Sequence, residues 1–372
     1  MQDVSSSEIY IGLMSGTSLD GIDIAVIDFS QHPPTLIHCS TWPYQQSLQQ
    51  RIREITISGN ASIDSLCQLD VELGNTYADI INRSLEEAKL ENAQIRAVGN
   101  HGQTIRHSPN TELPYTLQIG DPNVIAAKTG ITTVGDFRRK DIALSGQGAP
   151  LAPAFHRFMF SSTSSDRAII NIGGIANITY LPADSESGVI GFDTGPGNTL
   201  SDFWINRHHG KACDEDGKWA ASGGVNNDLL NKLLGNEPYF QTALPKTTGT
   251  EYFNSNWLIP QLDPDLAAED VQATLVELTA LTIARGIQLL PSTPVECFVC
   301  GGGIHNNYLI KRLQQALPIC QILSTNQLGL DPDYVEAVAF AWLARQRVNQ
   351  QAGNLPTVTR ASSASILGGI YQ

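Results

Sequence analysis

The chain has 372 residues, enough for two domains with cores of their own, and 23 Lys and Arg against 37 Asp and Glu give a formal charge of -14. That balance argues against a nucleic-acid or anionic-membrane partner, and it leaves any phosphate to be met locally by backbone N–H groups, a few cations and a divalent metal. No apolar run reaches transmembrane length, and the opening MQDVSSSEIY lacks the basic-then-apolar order of a secretory signal, so a cytoplasmic location is expected.

Ile9 to Met14 and Ile22 to Phe29 are short apolar runs rich in strand formers, joined by SGTSLDG. They predict a hairpin whose turn offers backbone N–H groups and hydroxyls to a phosphate, while Asp20 or Asp23 approaches an associated Mg²⁺. Taken alone, the same residues also make an ordinary glycine-containing β-turn. Thr35 to Tyr44 reads as a third strand of a meander, and Ser62 to Leu90 as a long helix with Ile63, Leu66, Leu69, Leu73, Tyr77, Ile80 and Ile81 at helical spacing. A short strand, Ala97 to Asn100, runs into HGQTIRH, and Tyr115 to Asp121 is a second loop-rich segment. His101, beside Gly102 and Gln103, fits either a ligand hydrogen-bonder or a satisfied buried histidine, whereas His107 reads as structural.

The second domain is expected to begin near Gly130 with GITTVGDFRRKDIALSGQGAPL. Within it, Lys140 and Asp141 read as a solvated charged face. Arg139, with Arg138 as the alternative, can hold a sugar carboxylate or hydroxyls in bidentate fashion. Arg167 to Leu181 is strand, glycine turn and strand again, a reduced copy of the opening hairpin with Gly173 and Gly174 at its tip, which points to a duplicated fold. Asp193 closes a short strand beside two glycines, where a carboxylate can activate water or a hydroxyl; Asn198 and Thr199 are free to cap the helix that follows. Glu269 to Leu290 reads as a helix. Cys297 and Cys300 read as buried strand cysteines rather than a zinc pair. Gly301, Gly302 and Gly303 follow that strand and precede a helix, an order suited to an anion or the adenosine end of a nucleotide. Asp331 and Pro332 read as the start of a helix through Arg347, in which periodicity puts Glu336 on the wet face. The tail from Gly353 reads as loop returning to the first domain.

Taken together, GLMSGTSLDGID, HGQTIRH, DFRRKDIALSGQGAPL, NIGGIANIT, GFDTGPGN, PKTTGTEYFN and CGGGIHNNYL resemble the anhydro-N-acetylmuramic acid kinase family of the sugar-kinase, Hsp70 and actin superfamily, in order and along nearly the whole chain. The resemblance implies an α/β, two-lobed actin/hexokinase/Hsp70-like (ribonuclease H-like) duplicated fold with a central cleft, one lobe formed by 1–129 plus 348–372 and the other by 130–347. It also implies an activity: opening of the internal ether of 1,6-anhydro-N-acetylmuramic acid by water with transfer of the γ-phosphoryl of ATP to O6, in bacterial peptidoglycan recycling. Carried onto this sequence, Asp193 matches the base that activates water and Glu336 a second acid near substrate, against its wet-face periodicity. His101, Gln103, Arg138 and Arg139 match the sugar side. Gly16, Thr17, Ser18, Leu19, Asp20, Gly21, Ile22 and Asp23 match the phosphate turn, with Asp20 toward Mg²⁺, and Gly301 to Gly303 match the nucleoside loop; Gly173 and Gly174 join them as nucleotide-side candidates through the repeated hairpin. Ser145 stands where the family more often has Gly, and Thr250 where it more often has Arg. A homodimer is the default expectation. The rival readings are an ordinary sugar kinase acting on a free hydroxyl and a non-catalytic nucleotide- or sugar-binding module.

Overall fold

A computed structural model describes residues 8–16, 19–184 and 187–372. Thr17 and Ser18 of the predicted phosphate turn lie outside the described residues. The chain forms two compact units, Met1–Phe155 with Tyr334–Gln372, and His156–Asp333.

The first unit begins with the expected meander, β1 (Ile9–Ser15), β2 (Ile22–Asp28) and β3 (Thr35–Trp42). The helix α1 (Gln46–Ser58) buries Leu48, Ile52 and Ile55 at helical spacing. The predicted long helix is α2 (Ile63–Ala88), opened by Ser62, whose side chain accepts from the Ser65 amide. Next come β4 (Ile95–Asn100), then β5 (Gln103–Ser108) and β6 (Tyr115–Ile119) paired as a separate antiparallel hairpin, so most of the segment read as loop-rich, Tyr115 to Asp121, is strand. Then follow α3 (Pro122–Thr129), β7 (Thr133–Gly135), α4 (Arg139–Ala143) and α5 (Ala152–Phe160), which carries the chain across to the second unit.

The second unit opens with β8 (Arg167–Ile172), β9 (Ile175–Leu181) and β10 (Ile190–Pro196), the predicted copy of the opening meander. The helices α6 (Thr199–His209), α7 (Lys218–Ser222), α8 (Asn227–Gly235) and α9 (Ser255–Leu258) occupy the stretch of weak periodicity. The helix α10 (Ala268–Gln288) is buried almost all round rather than along one face; Thr274, Thr279 and Thr282 satisfy their hydroxyls on backbone carbonyls. After it come β11 (Glu296–Cys300), α11 (Asn307–Ala316) and β12 (Gln321–Ser324), with Cys297 and Cys300 buried on β11 as expected. The chain returns to the first unit through α12 (Val335–Val348), α13 (Pro356–Thr359) and β13 (Gly369–Tyr371).

The first sheet has the order β13-β7-β4-β1-β2-β3 and the second β10-β9-β8-β11-β12. In each, an antiparallel meander is extended from its first strand by two parallel ones, β4 and β7 or β11 and β12. Leaving β13 aside, the two orders are the same. This is a duplicated ribonuclease H-like fold of the actin, hexokinase and Hsp70 type. The inner strands are buried on both faces, which is why β1 and β11 read as nearly continuous apolar runs.

The chain crosses between units later than position 129 and returns earlier than 348. Two packing facts explain the difference. The strand β7 pairs with β4 and belongs to the first sheet, and α12 lies directly on that sheet. Gly12 and Gly99 are cross-strand partners under α12; a Cβ on either would stand 1.8 Å from the Ala337 carbonyl oxygen or 2.0 Å from that of Phe340. Only glycine lets a helix backbone come so close.

Two local expectations change. Asp331 does not cap α12: its carboxylate accepts from the Asp333 amide, and Tyr334 opens the helix without a side-chain cap. Asp141 is not on a wet face but fully buried, accepting from the Gly148 amide, Asn354 Nδ2 and Thr359 Oγ1. It fastens both the SGQGAP loop and the returning tail. Lys140 is exposed, as expected.

Candidate active site

In the first unit, the ends of β1, β4 and β7 that follow one another across the sheet carry the polar residues singled out in the sequence. Arg138, just past β7, donates from Nε and Nη2 to His101 Nε2 at 3.2 and 2.9 Å, and from Nη1 to the Gly148 carbonyl at 2.8 Å. A guanidinium only donates, so His101 Nε2 must carry the lone pair and its proton sits on Nδ1. Burial and the neighbouring Arg138 charge hold the His101 pKa well below the usual imidazole value, which keeps it neutral. His101 is thus a buried support for Arg138, and no described residue pairs with its Nδ1. Burial lowers Arg138 to about 10, opposed by the Glu336 and Asp141 charges, so it remains a cation at neutral pH.

Glu336 stands in the first turn of α12; the residue as a whole is accessible, but its carboxyl is set among protein groups rather than on an open wet face. Its carboxyl is raised by the protein packed around it and by Asp23, with Arg138 working the other way. Asp23 on β2 accepts from Thr41 Oγ1 at 2.6 Å, and the same hydroxyl lies 3.4 Å from the Tyr334 hydroxyl. Gln103 is buried; its carbonyl accepts from the Tyr44 hydroxyl and its amide donates to the Gly16 carbonyl, tying β5 to the phosphate turn. Within that turn Leu19 has φ +60 and Asp20 is exposed.

Arg139 goes elsewhere. Its side chain is 57% exposed, pairs with Asp136 at 3.6 Å, and lines an open depression of about 520 Å³ with Lys140 and Arg347. Of the two arginines the sequence left open, the fold brings Arg138 to His101 and Glu336 and leaves Arg139 on another face. His107 accepts or donates at Thr116 Oγ1, 3.0 Å away, a structural place.

In the second unit, three glycine turns converge. Gly173 and Gly174 connect β8 to β9. Their carbonyls accept from the Gly197, Asn198 and Thr199 backbone amides at the end of β10, so the expected Asn198 side-chain cap is replaced by a backbone clasp, and the Asn198 side-chain Nδ2 instead donates to the Ile172 carbonyl. Gly301, at the end of the neighbouring strand β11, has φ +77, and a Cβ there would meet Asn171 Oδ1 at 2.4 Å. Gly303 is packed as tightly on Ile172. Gly302 between them has nothing within 4 Å of a built Cβ, and Gly173 meets only a carbonyl oxygen at 3.8 Å. Close-packed glycines thus hold two bare stretches of backbone open to a ligand, which fits a phosphate or a nucleoside.

Asp193 is on β10 immediately before this cluster. Its Oδ2 accepts from the Thr248 amide at 2.9 Å, while Oδ1 accepts nothing among the described residues. Burial raises its pKa to about 6; Thr248 lowers it and the Glu251 charge raises it further. The surrounding groups, Tyr239, Lys246, Thr248 and Glu251, come from a segment without periodicity. Sequence reasoning reached that segment only through PKTTGTEYFN as a whole motif. The departure at Thr250 lies against the Gly174 turn, its Cγ2 3.3 Å from a built Cβ.

A model of the family described as anhydro-N-acetylmuramic acid kinase matches residues 8–372. The chain belongs to that family. It is 52% identical to the anhydro-N-acetylmuramic acid kinase of Pasteurella multocida strain Pm70 over 97% of this chain and 96% of that one. With that of Saccharophagus degradans the identity is 50% over 98% of each. A solved ROK family glucokinase from Streptomyces griseus, in complex with glucose and AMPPNP, is similar at 13% identity and a TM-score of 0.41, covering 91% of this chain and 99% of its own. Among the described residues no helix is long and apolar enough to cross a membrane.

Proposed function

We propose that this kinase opens the 1,6-anhydro bridge of 1,6-anhydro-N-acetylmuramic acid with water and phosphorylates O6 from ATP, giving N-acetylmuramic acid 6-phosphate and ADP in cytoplasmic peptidoglycan recycling. The family match from residue 8 to 372 carries the substrate. The single observation that carries the chemistry is Asp193: half-buried, with one oxygen pinned by an amide and the other free to take a proton.

An ether oxygen is a poor leaving group and a poor nucleophile. Attack of water at C1 forms the C1–OH bond, breaks C1–O6 and gives the electron pair to O6, which then bonds the γ-phosphorus as ADP leaves. Each half therefore assists the other. Asp193 Oδ1 accepts the proton of the attacking water. A carboxyl at about 6 is ionised at neutral pH yet far more basic than an ordinary aspartate, which suits a general base. Arg138, fixed by His101 and the Gly148 carbonyl, supplies the cation for the sugar side, with Glu336 the acid beside it and Gln103 the strut that holds the phosphate turn. The open backbone at Gly173 and Gly302, with Gly174 completing the first of these turns, serves the nucleotide.

Mg²⁺, when bound with ATP, neutralises the β- and γ-phosphates. Asp20 is the carboxylate we give it, because it is exposed on the phosphate turn while Asp23 already accepts from Thr41. A homodimer is the default assembly.

The test is turnover of 1,6-anhydro-N-acetylmuramic acid with ATP and Mg²⁺ in ¹⁸O-labelled water. Label at C1 of a 6-phosphorylated product is the expected result. A phosphorylated product without label would mean an ordinary sugar kinase, and ligand binding without product a binding module.

A further inference from the structure

The base is held by a loop, and the loop is held by a carboxylate to which the reaction gives no part. Three bonds join the 239–248 stretch to Asp193: the Tyr239 hydroxyl donates to its carbonyl at 2.7 Å, its amide donates to the Lys246 carbonyl at 3.0 Å, and the Thr248 amide donates to its carboxylate at 2.9 Å. Lys246 turns back and donates from Nζ to the Tyr239 carbonyl at 3.0 Å, its ammonium 4.5 Å from the Tyr239 ring centre. Phe253, fully buried, stacks on Phe240 and meets Tyr239 edge-on.

Glu237 stands at the start of this segment and is 5% exposed. Its Oε1 accepts from the Tyr239 amide at 2.8 Å and the Tyr252 hydroxyl at 2.7 Å, and its Oε2 accepts from Trp257 Nε1 at 2.7 Å. Among the described residues no cation pairs with it. A buried carboxylate without a counter-ion is costly, and it is tolerated only where donors replace its lost hydration. Here those donors come from both arms of the loop that carries Thr248.

We infer that Glu237 is a positioning residue for the reaction: it ties the two arms of the 239–257 loop together and so keeps the Thr248 amide on the Asp193 carboxylate. This rests on Asp193 being the base. The Thr248 amide is the contact that favours the ionised carboxylate, against the protein around it and the charge of Glu251. The other titratable groups nearby are Tyr239 and Lys246 of the same loop, and Arg285 of α10, which lines one narrow cleft with Lys246 and Thr194. On the adjoining strand β9 the partner of Asp193 is Asn177, which does not titrate. Loosening the loop removes the amide and leaves a base that protonates at higher pH.

The experiment compares the pH dependence of kcat for the full chain with Glu237→Gln. The amide puts a donor where the carboxylate had an acceptor, so one arm of the loop is released. The acid limb should move up by about one pH unit, with kcat recovering at high pH and the KM for ATP unchanged. A folded variant whose acid limb stays in place overturns the proposal, even if kcat falls uniformly. Should Glu237→Gln fail to fold, Trp257→Phe decides: it removes one donor, keeps the ring, and should move the limb the same way by less, while no movement overturns the proposal. Asp193→Asn separates the two claims. If it turns over normally, the base assignment fails and takes this inference with it. If it is inactive while Glu237→Gln leaves the limb unmoved, only the role of Glu237 is lost.

Discussion

The two sheets share a strand order and differ in what they carry at their strand ends. In the first unit, the ends of β4 and β7 lead into His101 and Arg138, a charged, hydrogen-bonded group with Glu336 close in the electrostatic sense. In the second, the ends of β8, β10 and β11 are glycine turns whose only carboxylate singled out for chemistry is Asp193. The duplicated scaffold thus presents different groups at corresponding strand ends. One copy offers fixed side chains, suited to recognising the hydroxyls and carboxylate of a sugar. The other offers bare backbone, suited in the proposed reading to the nucleotide, with Asp193 as the proposed base beside it, while the phosphate turn at residues 16–23 belongs to the first copy. The lesson is that the hairpin repeat predicts where functional groups will sit, but not which kind.

Substitutions can break this division of labour, the largest effect coming from the base. Asp193→Asn should fold and still bind ATP, with kcat lower by about 10²- to 10⁴-fold. Its stability gives an independent check. The folded carboxyl titrates at about 6 against an ordinary 3.8, so the native state holds the proton more tightly and the parent loses stability as pH rises through that window. Asparagine has no such loss. Thermal melts should therefore show the variant gaining on the parent above pH 6 relative to below pH 4. A constant difference would mean that Asp193 is not held in an unfavourable ionised state.

On the sugar side, Arg138→Ala should raise the KM for the anhydro-sugar by about 10- to 100-fold, the worth of a charged hydrogen bond. Arg139→Ala should stay within about twofold, since that side chain faces the open depression. Steady-state kinetics on the pair would settle the choice, and the reverse ranking would move the sugar site to the Arg139 face.

On the nucleotide side, neighbouring glycines should part company. Gly301→Ala should cost about 1 to 3 kcal/mol in denaturant melts, because φ is +77 and the added methyl meets Asn171. Gly302→Ala has room for its methyl; it should melt like the parent and show a several-fold higher KM for ATP. If both merely destabilise, the turn is structural. The smallest effect is expected at Ser145, which holds φ +65 where the family more often has Gly. Ser145→Gly should stabilise the chain by about 1 kcal/mol without altering kinetics.

The sequence by itself determined the elements whose cause is local: both hairpins, the Ser62-capped helix, the strand–glycine–helix passage at Cys300 to Asn307, and the family, whose motifs are spread over the whole chain. Periodicity and turn chemistry act within a few residues, so they can be read from a few residues. What only the tertiary structure decided are the relations between residues far apart in the chain. Arg138 is tied to His101, 37 positions away, while Arg139 is left on another face. Asp141 was drawn out of solvent by Asn354 and Thr359, more than 200 positions on. Gly12 and Gly99 look incidental until α12 lies on them. The cradle of Asp193 comes from a segment with no period, whose shape is set by one buried carboxylate and its three donors. A side chain's role here follows from which donor or charge the fold brings to it, and that is a property of packing, which no local pattern encodes.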